Sequence, residues 1–222
     1  MNVAIDGPAG AGKSTIAKLV AKKLGSVYVD TGAMYRAMAL YLIRRGILPE
    51  DTKGIEDACG DADISLEYRD GVQRVILNGE NVTPYLRSEE VGKMASVSSA
   101  NGNVRSKLVA LQQKLAKKIP VVMDGRDIGT VVLPDAEVKI FLTAGVDVRA
   151  KRRYKELLDK KETPDFAEIR RDIAERDYRD THRENSPLKQ AKDAVLLDSS
   201  GLTINEVADR ILKMCAEAGA AV

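Results

Sequence analysis

The sequence predicts an α/β fold: a parallel sheet flanked by helices, with a small three-stranded antiparallel insert and a helical lid. Three observations carry that prediction. Short apolar runs recur, several closing on an aspartate and each followed by a helical repeat, which is the rhythm of strand–helix–strand units. Between about 63 and 83 the apolar period changes to two, with turn residues between the runs. Beyond about 146 the chain becomes strongly charged and helical.

The elements follow in order. Val3, Ala4 and Ile5 end at Asp6, a glycine-rich stretch follows, and Ile16, Leu19, Val20 and Leu24 mark the first helix. Val27-Tyr28-Val29 ends at Asp30 and leads into a helix from about Gly32 to Arg45, with Met34, Met38, Tyr41 and Leu42 on a face. Ile64, Leu66 and Tyr68 then alternate with polar residues, Asp70-Gly71 turns the chain into Val72 to Leu77, and Asn78-Gly79 turns it again. Helical sequence from about 88 to 118 is interrupted at Asn101-Gly102. Strands at Pro120–Asp124 and Val138–Leu142 return the chain to the parallel sheet. Helices at about 146–160 and 166–183, a loop around Pro187, a strand at Ala194–Asp198 and a helix from about Thr203 to Ala218 complete the reading.

A chain of 222 residues suits one core with a small inserted module and is short for two full domains. Thirty-five basic residues against 33 acidic leave +2, and no apolar run nears the ~18 residues of a membrane span, so bulk charge and hydropathy indicate neither a nucleic-acid nor a membrane partner. Aromatic content of 4% without Trp argues against a base-stacking surface. Cys59 and Cys215 lie far apart with no CxxC spacing, which indicates neither a disulfide framework nor a zinc site and points to the cytoplasm. The amino terminus shows no leader pattern, and no cleavage is expected.

Gly7-Pro8-Ala9-Gly10-Ala11-Gly12-Lys13-Ser14 matches G-x-x-x-x-G-K-[ST] between an expected strand and an expected helix, the context that P-loop NTPases require. Its backbone N–H groups and helix start suit a nucleoside triphosphate such as ATP, Lys13 suits the β/γ-phosphates, and the Ser14 hydroxyl suits Mg²⁺. The motif leaves the fate of the γ-phosphate open, because GTPases, motor ATPases and small-molecule kinases share it. No Asn-Lys-x-Asp element is present, so an acceptor pocket is sought. Arg36, Arg126, and the group Arg176, Arg179 and Arg183 supply guanidinium forks suited to phosphate. Ile169, Ile173, Arg176, Asp180 and Arg183 form one helical stripe that passes from apolar to ionic and points to a polar cavity. From 149 to 183, eight Arg and four Lys meet nine acids, too mixed for a nucleic-acid patch and compatible with a solvated face. Asp124 reads as a carboxylate able to hold Mg²⁺ through water. Asp6 and Asp30 occupy similar strand ends, and composition alone does not choose among the three. His182, the lone histidine, reads as a surface residue.

These pieces together resemble bacterial cytidylate kinases over nearly the whole length: Ile5–Ser14, Asp30-Thr-Gly-Ala-Met-Tyr-Arg36, Asp124-Gly-Arg-Asp-Ile-Gly-Thr130, Val138–Leu142, Glu175–Asp180, Arg183 and Ser186-Pro-Leu188. The resemblance implies transfer of the γ-phosphoryl of ATP to CMP or dCMP with Mg²⁺, ATP being held by residues 7–15, Thr15 included. It also implies that Arg36 and Arg126 hold the acceptor phosphate with Arg183 close behind, and that Thr31 lines the same site. Ser96, Arg105 and Asp127 would read cytosine, Arg176 and Asp180 the ribose, while Arg152, Arg153, Arg176 and Arg179 fall in or beside a lid over ATP. Lys13, Arg126, Arg176 and Arg183 would be the charge-neutralising catalytic set, and Ser14 and Asp124 the metal-side residues. On this reading the core comprises about 1–60, 100–148 and 187–222, the acceptor-binding insert about 61–99 and the lid about 149–186. Residues 159–166 are the candidate hinge, a loop around Ser199–Leu202 the candidate adenine contact, and a monomer is expected. Two rivals are another P-loop kinase, for shikimate or AMP, and an ATP-dependent regulatory or nucleic-acid-binding protein.

Overall fold

The computed structural model describes residues 1–69 and 71–220; Asp70 of the expected turn and the last two residues of the expected core lie outside the described residues. The chain divides into two compact units, Met1–Tyr28 with Pro120–Val222, and Val29–Ile119.

The sheet has five strands in the order β2-β6-β1-β7-β8; β1 Val3–Asp6, β6 Val121–Gly125, β7 Val138–Thr143 and β8 Val195–Asp198 belong to the first unit, and the division at Tyr28 falls within β2 Val27–Asp30. β1 runs parallel to both β6 and β7, and β7 to β8, so the carboxyl ends of these strands share one edge. Central β1 and β6 are buried along their entire length, which is why Val3-Ala-Ile and Val121-Val-Met are apolar without alternation. Helices α1 (Lys13–Leu24) and α8 (Ile204–Ala220) cover this sheet through a core including Ile5, Val20, Val122, Ile140, Leu142, Ile211 and Cys215. After β7 come α6 (Val146–Asp159) and α7 (Phe166–His182), packed on each other. On α7 only Ile169, Ile173, Arg176, Asp177 and Asp180 escape full exposure, which realises the stripe expected from the sequence.

The second unit holds α2 (Thr31–Arg44), α3 (Thr52–Cys59), the antiparallel strands β3 (Ile64–Arg69), β4 (Val72–Leu77) and β5 (Glu80–Asn81), then α4 (Glu89–Ser98) and α5 (Gly102–Ala116). β3 and β4 pair from Ile64↔Leu77 to Arg69↔Val72 and bury one face, Ile64, Val75 and Leu77, against Met34, Met38, Leu42, Cys59, Met94 and Leu108. The break at Asn101 is a helix start, its Oδ1 accepting from the Asn103 and Val104 N–H groups. Helix α3 was not expected from the sequence. It is one apolar face, Ile55, Ala58 and Cys59, started by Asp51, whose carboxylate accepts from Gly54 N–H.

Candidate active site

The glycine-rich loop joins β1 to α1 on the carboxyl edge of the sheet. Gly7 has φ +150°, and a Cβ there would overlap the Leu142 carbonyl oxygen of β7, so no other residue fits. Gly12, with φ +89°, ends the loop at the amino terminus of α1, which leaves the first-turn N–H groups for an anion. Lys13 is 5% exposed, and its Nζ donates to the Pro8 carbonyl at 2.7 Å. Burial and the neighbouring Arg126 guanidinium lower its pKa to about 7, against the pull of Asp124 and Asp6.

The three strand-end carboxylates separate by their partners. Asp6 accepts from Ile128 and Gly129 N–H groups at 2.8 and 2.7 Å, fixing the wide helical turn Ile128–Val132, and burial raises it to about 6. Asp30 accepts from Ala33 N–H and caps α2. Asp124 accepts from Ser14 Oγ at 2.9 Å and from Tyr28 Oη at 2.7 Å. Structure thus does what composition could not, placing Asp124 alone of the three against the loop's hydroxyl. Ser14 and Asp124 present hard oxygens, a donor set that fits Mg²⁺, which takes few protein ligands and completes its shell with water and phosphate.

Arg126 follows β6 and donates from Nε to Asp180 Oδ2 of α7 at 2.7 Å. Burial pushes the Asp180 carboxyl up, but Arg126, Arg176 and Arg183 together outweigh it and hold it below the usual carboxylate range. Arg176 also lies close enough to act on Lys13. Arg183, at the end of α7, donates from Nε to Ser186 O at 2.8 Å. Asp127 is 4% exposed at the start of the Ile128–Val132 turn. Lys13, Ser14, Asp124, Arg126, Arg176 and Asp180 are therefore gathered in this unit. Arg152 binds the backbone and hydroxyl of Ser199, at the start of the Ser199–Leu202 loop, whereas Arg153 sits on the surface paired with Glu156.

In the second unit, Thr31 is the buried first residue of α2 and Arg36 follows on the same helix. Arg105 on α5 is 4% exposed, donates to Ser99 O and lies over the Tyr35 ring at 5.4 Å, with Ser96 half-buried on α4. Sequence reasoning missed Gln73, whose side-chain amide accepts from Asp30 N–H at 2.8 Å and donates to Asp30 O at 3.3 Å. Its signal was a polar amide in phase with the apolar Val75 and Leu77 of β4. Arg149, buried beside the glycine-rich loop, was also missed, and no periodicity marks it.

The sequence profile of cytidylate kinases matches residues 3–217. The chain belongs to the cytidylate kinase family. It is 50% identical over 214 residues to a cytidylate kinase of Caldicellulosiruptor bescii, covering 96% of this chain and 95% of that one. It is 52% identical over 209 residues to one of Leuconostoc mesenteroides, covering 94% and 93%. Among solved structures it resembles an uncharacterized protein from Eubacterium ventriosum at TM-score 0.53 and 15% identity, over 96% of each chain. A gluconokinase from Sinorhizobium meliloti gives 0.51 and 14%, over 97% and 91%. Those two likenesses concern the fold. Every residue from Gly7 to Arg183 discussed above lies within the span matched to the cytidylate kinase family.

Proposed function

We propose that this cytidylate kinase family member transfers the γ-phosphoryl group of ATP to CMP or dCMP, giving ADP and CDP or dCDP. The observation that carries the reading is the Lys13, Ser14–Asp124 and Arg126–Asp180 cluster at one strand edge, in a chain half identical to proteins named cytidylate kinases.

The glycine-rich backbone holds the triphosphate, and Lys13 leaves the Pro8 carbonyl for the β/γ-phosphates. Mg²⁺, held by Ser14 and through water by Asp124, would neutralise phosphate charge. The acceptor phosphate is already ionised near neutral pH and needs no general base, so catalysis is positioning plus charge neutralisation by Lys13, Arg126, Arg176 and Arg183. Arg126 exchanges its Asp180 partner for acceptor oxygens at little electrostatic cost, since Asp180 keeps Arg176 and Arg183. Thr31, Arg36, Ser96 and Arg105 are the second unit's acceptor-binding residues, and Asp127 accepts from the cytosine amine, where uracil would present a carbonyl and be repelled. Residues 149–186 act as the lid, with 159–166 its hinge, and shield the γ-phosphoryl group from water. The enzyme works as a cytoplasmic monomer with no nucleic-acid or membrane partner. No helix among the described residues is long and apolar enough to cross a membrane.

The test is ADP formation with ATP and Mg²⁺ against CMP, dCMP, UMP, AMP, GMP, shikimate and no acceptor. Turnover with CMP and dCMP is expected, with kcat/KM for UMP lower by about 10-fold or more. Equal CMP and UMP turnover sinks the Asp127 assignment, and acceptor-independent ADP formation sinks the kinase reading in favour of a regulatory ATPase.

A further inference from the structure

Arg149 stands in the first turn of α6 with its side chain 4% exposed, yet it belongs to no phosphate-binding motif. Its guanidinium is divided among three segments. Nε donates to Ala144 O at 2.8 Å, just after β7. One terminal nitrogen donates to Ala9 O at 3.1 Å, inside the glycine-rich loop, and the other meets Asp177 Oδ2 of α7 at 2.6 Å. The stem of the same side chain closes off Gly10, whose missing Cβ would lie 3.3 Å from Arg149 Cβ. Asp177 is the neighbour of Arg176 and lies one turn before Asp180 on the helix that carries the ionic stripe and ends at the Arg183 cap. Its Oδ1 is shut off from solvent with no hydrogen-bond partner, so the carboxylate is anchored through Oδ2 on Arg149.

We propose that Arg149 is a positioning residue that couples the phosphate-binding loop to α7, so that the posture of the lid helix sets the posture of the Ala9–Gly10 backbone and ATP in turn sets the lid. The inference rests on the ATP-binding reading above. A planar fork spreads its donors over three nitrogens and so reaches two carbonyls and a carboxylate on three separate segments, whereas an ammonium offers its three donors from a single point. Displacing α7 draws Asp177 away from one arm of the fork and frees the arm on Ala9, in the backbone that must wrap the phosphates. By linkage the effect runs equally in both directions.

The test is equilibrium binding of a fluorescent ATP analogue and, separately, of CMP to the full chain and to Asp177→Asn, Arg149→Lys and the double variant, each checked for folding by thermal melt. Each single variant is expected to weaken the ATP analogue by about tenfold, the scale of one charge-assisted hydrogen bond, with CMP affinity within about twofold. The double variant is expected to be no weaker than the poorer single one, because one joint is broken only once. A folded Asp177→Asn that binds the analogue like the unaltered chain overturns the proposal. So does a double variant whose loss is the product of the two singles, or equal weakening of ATP and CMP, the mark of general destabilisation. If Asp177→Asn fails to fold, Arg149→Lys alone decides by the same ATP-against-CMP split. An unaltered chain that binds no ATP analogue overturns the function reading itself, an outcome distinct from a failed joint in a chain that binds.

Discussion

The two units place their functional groups by different physics. Met1–Tyr28 with Pro120–Val222 buries seven charged side chains: Asp6, Lys13, Asp124, Asp127, Lys139, Arg149 and Asp180. Val29–Ile119 buries one, Arg105, among its described residues. Water-excluded charges are costly unless satisfied: the first unit pairs Asp180 with Arg126, Arg149 with Asp177 and Lys139 with Asp193, and gives Asp6 two backbone N–H groups, Lys13 a carbonyl and Asp124 two hydroxyls. The second unit holds its functional segments through local backbone contacts, the Gln73 amide on the Asp30 backbone and side-chain caps at Asp30, Ser88 and Asn101, and keeps its ion pairs such as Arg44–Glu80 on the surface. The difference suits the proposed chemistry, in which charge must be preset around the transferring phosphoryl while the acceptor mainly has to be oriented.

The largest break in that contrast comes from Lys13→Met, for which kcat should fall by about 10³ or more, read by steady-state ADP formation. The same variant should melt at a higher temperature than the native apo chain at pH 7. The unfolded ammonium keeps its proton to about 10.5 while the folded one releases it from about 7, so between those values the unfolded chain binds more protons and native stability rises with pH. The advantage of Lys13→Met should therefore be greatest at pH 7 and below and fade toward pH 10.5. An advantage constant with pH would mean that Lys13 carries no burial penalty.

A smaller but sharper effect concerns Asp124→Asn, which should raise the Mg²⁺ needed for half-maximal rate by about tenfold while leaving CMP KM unchanged. Loss of fold without any Mg²⁺ dependence would make Asp124 only a tether for Ser14 and Tyr28. ATP binding at pH 8 should also take up close to one proton, because phosphate restores a proton that apo Lys13 has largely lost. Calorimetry in buffers of different ionisation enthalpy measures it, and zero uptake contradicts the lowered Lys13.

The mildest expectation belongs to the second unit. Gln73→Ala should raise CMP KM several-fold, on the scale of about 1 kcal/mol per lost hydrogen bond, with ATP KM unaffected. If kcat fell as far as in Lys13→Met, the division of labour between the units would be wrong.

The parallel sheet, the insert and the phosphate loop were legible because each rests on a local signal: unbroken apolar strands, period two, and a motif in its strand–helix context. Helix α3 was not, since eight residues with an internal glycine carry too little period to register. Among the site residues, the strand-end aspartates looked alike because their roles differ only in partners brought from far along the chain, 122 residues away for Asp6 and 110 for Asp124. Arg149 was invisible for the same reason: its partners lie 140 and 28 residues away, and a helical arginine in a charged segment looks solvated until the packing is seen.

The two cysteines offer a use unconnected with catalysis. Cys59 sits in the apolar core of the second unit and Cys215 in that of the first, and burial raises both thiols, which suppresses the reactive thiolate. Each unit thus carries a single native reporter of its own opening. Timed alkylation followed by peptide mass spectrometry would yield two independent unfolding clocks from one unlabelled, unmutated chain, and nucleotides added one at a time would reveal which clock each of them slows.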